Sequence, residues 1–481
     1  MPELPLVDAI IQYTKENNAP FSMPGHKSGR GFLETTEGKN LYDNFIKGDI
    51  TEVEGLDNLH HPEGVIAEAQ KLLSEFYGSK KSYFLVNGSS SGNLAMIFSS
   101  FNEGDKVIIE RNCHRSVLNG VILRKLRPVY VKNKFNNIYN APISVNKEHF
   151  LQVVNENKDA KGIIVTYPNY YGVCVNLKFI IKEAEKYNMK VLVDSAHGAH
   201  FGVCEGLPES AVRLGAHMVV MSAHKTLPSL TQTAYLHVSD KADIDRVDFY
   251  VSSLLSTSPS YMLMASMDYA RFYLDKYGKE TFESLLSTAN NYRKKINDIG
   301  FFHVISKKEL IENNLSGLSN DIYDLDESRY IINIPKGYSG EKLLMYLRDE
   351  GIQAEMSDES NVVLIFSPFN HEEDFEKLYQ VLCKCNIEKI KNEIGSSEII
   401  ICDLPNIKLL PYEVLLKEKK SVKFEMSEGL ICAEAVVPYP PGIPIIMPGE
   451  VYSDEVIKAI KYYDKNKSVV LGVKNGCVKF V

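Results

Sequence analysis

Four polar segments that directly follow short apolar runs carry residues able to do chemistry. They are Asn87-Gly88-Ser89-Ser90-Ser91-Gly92-Asn93, Glu110-Arg111-Asn112-Cys113-His114, Asp194-Ser195-Ala196-His197 and Ser222-Ala223-His224-Lys225. Hydroxyls at a helix start can hold phosphate, a histidine ring can stack or donate a proton, a buried carboxylate can pair with a cation, and a desolvated lysine amine is nucleophilic. Each segment alone also has an ordinary explanation, namely serine N-caps, a loop histidine, an aspartate N-cap and a lysine that reaches solvent.

The four segments together match the needs of one cofactor. Pyridoxal phosphate requires a lysine for its Schiff base, a carboxylate facing the pyridine nitrogen, a phosphate cup at a helix start and a flat group over its ring. Lys225 follows Asp194 by 31 residues, about one strand-helix-strand unit. We therefore expect both side chains at neighbouring strand ends, in the crevice where such sheets bind ligands.

Apolar runs in the first half of the chain predict the sheet that would position these segments. The runs are rich in β-branched residues and lie at 83–86, 107–110, 128–132, 162–166, 190–194 and 217–221. Each is expected to precede a helix, and continuous apolar strands that alternate with helices are typical of a parallel sheet buried on both faces. The sequence thus predicts a doubly wound α/β domain.

The second half of the chain predicts smaller units. A helix over 269–291 would connect two domains, and strands at 330–334 and 362–366 flank a helix at 340–350, which indicates an α+β unit. A charged stretch at 389–397 suggests a boundary. The Pro-rich segment 436–450 is too apolar for a disordered linker, and we expect it to pack beside the active-site entrance. The alternative is an independent interaction module from residue 397 onward.

Composition narrows the functional class. With 481 residues, and about 150 per domain, the chain is long enough for roughly three folding units. Its net charge of −8 does not indicate nucleic-acid binding, which needs a basic surface. The sequence has no apolar run of about 18 residues and no start typical of a signal peptide, so we expect a cytoplasmic enzyme. The eight cysteines form no framework and predict free thiols, and no metal motif accompanies His197 and His200, so we expect no metal.

An ordered set of motifs resembles the ornithine/lysine/arginine decarboxylase family, within the aspartate aminotransferase-like enzymes of fold type I. The motifs are Met23-Pro24-Gly25-His26-Lys27, the segment 49–64, the four segments above with their extensions to His200 and Thr226, and Pro438-Tyr439-Pro440-Pro441-Gly442-Ile443-Pro444. The resemblance implies an N-terminal arm (1–22), a large cofactor domain with a mostly parallel sheet (23–285), a smaller α+β domain (286–390) and a C-terminal domain (391–481). It is a resemblance to the short form that lacks an N-terminal wing domain.

The resemblance also implies roles for individual residues. Lys225 would form the Schiff base, Asp194 would pair with the pyridine nitrogen, and His114 and Ala196 would pack on the two faces of the ring. The phosphate would be held by Ser90, Ser91, Ser222 and His224. Members of the family are dimers or larger assemblies with sites at the interface, so the loop 253–261 is expected to contribute from a partner chain.

The reaction expected from this resemblance is decarboxylation of a basic L-amino acid, with a proton returned to Cα by Lys225 or His197. L-Arginine, giving agmatine, is favoured over L-lysine and L-ornithine because short members are often assigned to it. The distal cation of such a substrate needs an acidic partner, and the candidates are Glu52, Glu54, Asp57 and Glu428.

Two other functions use the same residues. An aminotransferase would need an arginine for the α-carboxylate, and Arg348 is the conspicuous choice. A non-catalytic protein would keep the cofactor site without turnover. Carbon dioxide release without a keto-acid acceptor separates decarboxylation from both.

Overall fold

The apolar runs of the first half of the chain form strands. The computed structural model describes residues 3–136, 141–312, 321–392, 402–439, 444–465 and 469–481. Up to residue 254 the elements are α1 (Pro5–Lys15), β1 (Ala19–Phe21), α2 (Arg30–Leu33), α3 (Thr36–Asp43), α4 (Val65–Tyr77), β2 (Lys81–Leu85), α5 (Gly88–Ser100), β3 (Lys106–Glu110), α6 (Arg115–Leu123), β4 (Arg127–Val131), β5 (Asn133–Asn136), β6 (Ala141–Val145), α7 (Lys147–Glu156), β7 (Gly162–Thr166), β8 (Val173–Val175), α8 (Leu177–Glu185), β9 (Lys190–Asp194), β10 (Met218–Met221), α9 (Ala223–Thr226), β11 (Ala234–Val238) and α10 (Ile244–Leu254).

The later elements build the smaller units. They are α11 (Tyr261–Tyr273), α12 (Lys279–Asn297), β12 (His303–Val304), β13 (Ile322–Leu325), β14 (Arg329–Asn333), α13 (Gly340–Asp349), β15 (Ile352–Ala354), β16 (Met356–Ser357), β17 (Asn361–Ile365), α14 (Glu372–Cys383), α15 (Pro411–Leu415), β18 (Lys420–Lys423), β19 (Val437–Tyr439), α16 (Asp454–Lys465), β20 (Val469–Leu471) and β21 (Cys477–Phe480). A π-helical turn, Leu274–Gly278, joins α11 to α12, so the expected connecting helix is one helical run from 261 to 297.

A seven-stranded sheet positions the predicted site. Its strand order is β2-β11-β10-β9-β7-β3-β4. Neighbouring strands from β10 to β4 are parallel, whereas β11 is antiparallel to both of its neighbours, β2 and β10. Val191, Leu192 and Val193 of β9 are fully buried, as expected for a strand covered by helices on both faces. The predicted α/β fold is confirmed, and β3, β9 and β10 present their carboxyl ends along one edge.

Two expectations about the crossovers were wrong. No helix lies between β9 and β10, because residues 195–217 form a series of turns in which Gly202 and Gly215 take positive φ angles. β4 is followed by the antiparallel hairpin of β5 and β6 before α7 begins. Even so, β9 and β10 are adjacent and parallel, and Asp194 pairs with Val220 in register.

Two further units lie outside the central sheet. The predicted α+β unit contains the antiparallel sheet β12-β14-β17-β16 with α13 and α14. A separate apolar cluster of the C-terminal part includes Phe424, Val436, Tyr452 and Val478. The predicted domain boundaries stay predictions, and residues 393–397 of the expected boundary and 440–443 of the Pro-rich motif lie outside the described residues.

The C-terminal unit is joined to the edge of the central sheet by a buried ion pair. Arg111 directly follows β3, and its Nη1 and Nη2 donate to the two carboxylate oxygens of Glu450 at 2.5 and 2.8 Å. Nε and Nη2 also donate to the carbonyl oxygens of Pro444 and Ile445. This pair ties the segment 444–450 to the chain that follows β3, and its packing beside the active-site entrance stays a prediction.

Two general properties complete the description. All eight cysteines are free thiols. Across the ranges that the structure describes, no helix has both the length and the apolar character for a membrane span, and no three His, Cys, Asp or Glu side chains are grouped so that they could hold a metal ion.

Candidate active site

Lys225 and His197 form the reactive centre of the candidate site. Lys225 lies in α9, just after β10, and its Nζ is 3.0 Å from Nε2 of His197, which follows β9. Burial lowers the pKa of Lys225 from its ordinary value, while the negative charges of Asp194 and Glu355 oppose that change. Burial also lowers the pKa of His197 well below its usual range. A neutral His197 can therefore accept a hydrogen bond from the amine, and the two side chains can exchange a proton.

Asp194 ends β9 with both carboxylate oxygens fixed. Oδ1 accepts a hydrogen bond from the backbone N–H of Ala196 at 3.1 Å, and Oδ2 accepts one from Nδ2 of Asn93 at 2.8 Å. The carboxylate is only 2% exposed. The two donors hold the carboxylate in one orientation, which suits it for pairing with a protonated ring nitrogen.

A short chain of hydrogen bonds orients the His114 ring. Asn93 Nδ2 also donates to Oγ of Ser116 at 2.8 Å, and Nδ1 of His114 lies 2.7 Å from that oxygen. The backbone N–H of Ser116 points at the same Nδ1 at 3.2 Å, so Nδ1 is an acceptor and the ring proton is on Nε2. Burial lowers the pKa of His114, which favours this neutral form.

The predicted phosphate residues lie where α5 and α9 begin. Ser222 Oγ donates to Oγ of Ser89 at 2.8 Å, whereas Ser91 Oγ donates back to the Gly88 carbonyl at 2.8 Å. His224 Nδ1 lies 2.8 Å from the Thr233 carbonyl oxygen, and Ser90 lies between Ser89 and Ser91 in the first turn of α5. The contact of Ser89 with Ser222 brings the two helix starts together.

The loop 253–261 also reaches this region within its own chain. The backbone N–H of Ser256 donates to Oδ1 of Asn87, the residue before α5, at 3.0 Å. At the end of the loop, the Tyr261 hydroxyl donates to the carbonyl of Asp57. The loop therefore lies beside the phosphate end of its own site, and its contribution to a partner's site stays a prediction.

Glu355 is an acidic residue beside the reactive centre that the sequence did not indicate. Oε1 accepts a hydrogen bond from the Tyr170 hydroxyl at 2.6 Å, and Oε2 accepts one from the Met23 backbone N–H at 2.9 Å. The Tyr170 ring packs edge-on against His197, with centroids 4.7 Å apart. The negative charge of Glu355 opposes the lowering of the Lys225 pKa by burial.

A buried ionic cluster joins the large unit to the small one behind this site. Asp326 accepts hydrogen bonds from Nε and Nη2 of Arg329 and contacts His200 Nε2 at 3.2 Å. Nη1 of Arg329 donates to the Tyr170 carbonyl at 3.0 Å. The side chains of His200, Asp326 and Arg329 are all 0% exposed, and Arg329 links this buried cluster to the backbone of Tyr170.

Comparison with known proteins identifies the family. The family model described as "Orn/Lys/Arg decarboxylase, major domain" matches residues 4–374, and the model of its C-terminal domain matches residues 405–470. The chain belongs to the Orn/Lys/Arg decarboxylase family. It is 36% identical to the YaaO protein of Bacillus subtilis (97% of this chain, 96% of that one) and 31% identical to an arginine decarboxylase of Bacillus subtilis (98% and 95%).

Solved structures of the decarboxylase family share the fold. The Francisella novicida lysine decarboxylase LdcF superposes with a TM-score of 0.79 at 21% identity, covering 98% of this chain and 80% of that one. The chain is therefore a decarboxylase enzyme of fold type I, and its cofactor is pyridoxal 5'-phosphate. The predictions of family, fold class, enzyme class and cofactor are confirmed.

The residues present fit this cofactor. Lys225 offers an amine, Asp194 offers a fixed carboxylate, and the first turn of α5 offers hydroxyls beside Ser222. Ser195 Oγ, His197 Nδ1 and Thr226 Oγ1 are buried side-chain atoms for which the structure records no hydrogen-bond partner. These three unsatisfied polar groups, close in sequence to Asp194 or Lys225, are consistent with a polar group bound between the two strand ends.

Several candidates from the sequence lie elsewhere. Arg348 forms an ion pair with Glu16 and lies over the Tyr13 ring, so it does not serve as the carboxylate-binding arginine of an aminotransferase. The Asp57 carboxylate accepts hydrogen bonds from five backbone N–H groups, that of Asn58 and four between residues 63 and 67, around the start of α4. Glu52, Glu54 and Glu428 are exposed in this chain.

Sequence reasoning missed the residues that support the site. Asn93 and Ser89 belong to the segment Asn87–Asn93, but their polar partners are visible only in three dimensions. Ser116 is an ordinary helix serine in the sequence. Glu355 follows a three-residue strand and has no local signal. The individual roles predicted for Lys225 and the cofactor-binding residues stay predictions.

Proposed function

We propose that the chain decarboxylates L-arginine to agmatine, and that it serves polyamine formation. The observation that supports this proposal is the position of Glu355, whose carboxylate accepts a hydrogen bond from Tyr170, the residue that packs on His197 beside Lys225. We propose that this carboxylate binds the distal cation of the substrate. The relatives named arginine decarboxylase, at 31% identity over nearly the whole chain, favour arginine within the family.

The chemistry of Glu355 supports a guanidinium partner. Each of its oxygens accepts one hydrogen bond, from Tyr170 or Met23, and retains further lone pairs. A planar guanidinium can use both oxygens at once, which an ammonium cannot do. The Tyr170 ring is 37% exposed and offers an aromatic surface next to the carboxylate.

The chain's own residues would direct the reaction. Bound pyridoxal phosphate supplies the electron sink for the pair of electrons left when the Cα–carboxylate bond breaks. In this proposal Lys225 holds the cofactor before the substrate arrives, and Asp194, fixed by Asn93, keeps a proton on the ring nitrogen. His197 is hydrogen bonded to Lys225, so either can return a proton to Cα.

A product assay tests the proposal. The enzyme is incubated with arginine, lysine and ornithine in parallel without a keto acid, and carbon dioxide and amine are measured. We expect equimolar carbon dioxide and agmatine, with arginine giving the highest kcat/KM. Cadaverine or putrescine as the main product would overturn the assignment to arginine. Consumption of the amino acid only when a keto acid is added, with no carbon dioxide released, would overturn decarboxylation.

A variant pair tests the role of Lys225. Lys225→Ala is expected to abolish turnover and the visible absorption of the lysine-bound cofactor. Lys178→Ala removes an exposed lysine and is expected to leave both unchanged. Turnover by Lys225→Ala at the wild-type rate would contradict the assignment.

We further propose a cytoplasmic homodimer. Free thiols in all eight cysteines suit a reducing compartment. α1 buries none of its residues, and Leu6, Ile46 and Val65 are 72%, 90% and 59% exposed. Large exposed apolar side chains of this kind mark association surfaces, so we propose that a second copy covers them.

A further inference from the structure

The motif Met23-Pro24-Gly25-His26-Lys27, here called the 23–27 loop, packs directly on the turn that carries Lys225. The backbone N–H of Gly25 donates to the carbonyl of His224, the residue before Lys225, at 2.7 Å. A Cβ at position 25 would lie 2.5 Å from the backbone nitrogen of Leu227. Only glycine allows this approach, so the loop backbone and the Lys225 turn are held against each other.

The same loop also holds Glu355. The backbone N–H of Met23 donates to Oε2 of Glu355 at 2.9 Å. Met23 and Gly25 are separated by a single residue, so one short piece of backbone touches both the turn of Lys225 and the carboxylate proposed for the distal cation. In the proposed function, this one loop would therefore fix the positions of the groups that bind the two ends of the substrate, Lys225 at the reacting end and Glu355 at the distal cation.

Lys27 fixes the loop to the small unit. This lysine is 1% exposed, and its Nζ donates to the carbonyl oxygens of Ser22 at 2.6 Å and of Ile365, at the end of β17, at 2.9 Å. Oγ of Ser367 donates to the carbonyl of Gly25 at 2.6 Å. A buried amine needs such acceptors, and here they tie Lys27 both to the residue before the loop and to the end of β17.

The charged groups around Lys27 have opposing effects on its ammonium group. Glu355 and Asp374 attract its charge, and Arg30 repels it. Burial outweighs these interactions and lowers the pKa of Lys27 to about 7. Near neutral pH the amine can therefore serve mainly as a hydrogen-bond donor to two carbonyls, rather than as a partner for a substrate.

We infer that the 23–27 loop is a spacer that sets the distance between Lys225 and Glu355, and that Lys27 is a positioning residue that makes the enzyme select its substrate by chain length. The inference rests on the proposed function, in which Glu355 binds the distal cation. If the distance is fixed, a substrate with one methylene too many or too few fits poorly, and its kcat/KM should be about 10–200-fold lower. A loosened loop would lose part of that discrimination.

Steady-state kinetics of the holoenzyme test this inference. Lys27→Met keeps the length and volume of the side chain but removes the donor. We measure kcat and KM with arginine, with its one-methylene-shorter analogue and with homoarginine. For Lys27→Met we expect KM for arginine to rise about tenfold with little change in kcat, and the preference for arginine over both analogues to fall at least fivefold.

Two further variants make the result decisive. Lys190→Met is the matched control, because Lys190 Nζ also donates to a backbone carbonyl, that of Ser100, but lies at the opposite end of β9. We expect it to keep the wild-type preference. Ser367→Ala removes the other tie to the loop, is expected to change preference in the same direction as Lys27→Met, and serves as the test if Lys27→Met does not fold.

The outcomes separate the inference from the function. An active wild type whose length preference is unchanged in both Lys27→Met and Ser367→Ala overturns the spacer and leaves the proposed function intact. A wild type that prefers lysine is tested with ornithine and homolysine instead, with the same expectations. A wild type inactive with every basic amino acid overturns the proposed function, and the inference falls with it.

Discussion

Removing the carboxylate of Glu450 should strongly destabilise the protein. Arg111 and Glu450 are 5% and 1% exposed, and two hydrogen bonds join them. In Glu450→Ala the guanidinium keeps two neutral hydrogen-bond acceptors, the carbonyls of Pro444 and Ile445, and its contact with the Tyr130 ring, but it loses its counter-charge. The Met447 backbone N–H loses its acceptor. Breaking a buried ion pair by removing one partner costs about 3–5 kcal/mol, so we expect a loss of that size in the free energy of unfolding.

Urea unfolding followed by circular dichroism measures this loss, and two comparisons interpret it. Replacing both Arg111 and Glu450 by methionine removes the pair without leaving a charge, and should cost less than Glu450→Ala alone. Glu103→Ala breaks an exposed ion pair with Lys125 and should cost no more than about 1 kcal/mol.

Two results would refute the reasoning about the Arg111–Glu450 pair. The first is a loss below about 1 kcal/mol for Glu450→Ala, which would mean that water or local rearrangement compensates the guanidinium. The second is a double methionine variant that loses as much as the two single variants together, because the effects would then be independent rather than due to a stranded charge.

Three other predictions concern pH, the cofactor and assembly. Burial raises the pKa of Glu110 from 4.5 to about 7, so the stability that this group contributes is complete below pH 4.5 and is lost as the pH rises through 7. The free energy of unfolding of Glu110→Gln, measured relative to wild type, should therefore increase over that pH range. A difference that stays constant with pH would contradict this prediction. Asn93→Ala removes a donor to Asp194 and should weaken cofactor binding about tenfold in equilibrium dialysis, whereas wild-type affinity would exclude that role. Ile46→Glu should yield monomers in light scattering, and an unchanged mass would exclude this face from the interface.

The strands of the central sheet could be predicted because buried parallel strands are continuous apolar runs. Gly162–Thr166 and Lys190–Asp194 match the expected ranges, and β10 begins one residue later than expected. The turns between β9 and β10 could not be predicted from the sequence. Whether this glycine-containing stretch forms a helix or turns depends on its tertiary contacts with the rest of the protein. The antiparallel direction of β11 likewise depends on a partner, β2, that is distant in sequence.

The site was predictable where chemistry demands a particular residue type at a strand end. Lys225, Asp194, His197 and His114 stood out for that reason. Their supporting residues did not stand out. The role of an amide such as that of Asn93 depends on which side chains it contacts in the folded protein, here Ser116 and Asp194. The sequence offers Glu52, Glu54, Asp57 and Glu428 as acidic partners for a distal cation, whereas Glu355, which contacts the 23–27 loop through the Met23 backbone N–H, has no local signal.

The position of β11 has a consequence for biosynthesis. β2 lies at the edge of the sheet, and its register pairs Leu85 with Ala234, so roughly 150 further residues must leave the ribosome before β2 gains its neighbour. During that interval Tyr83, Phe84 and Leu85, all buried in the finished protein, lack the strand that covers one side of them. Newly made chains shorter than about 240 residues should therefore be the ones that need chaperone protection.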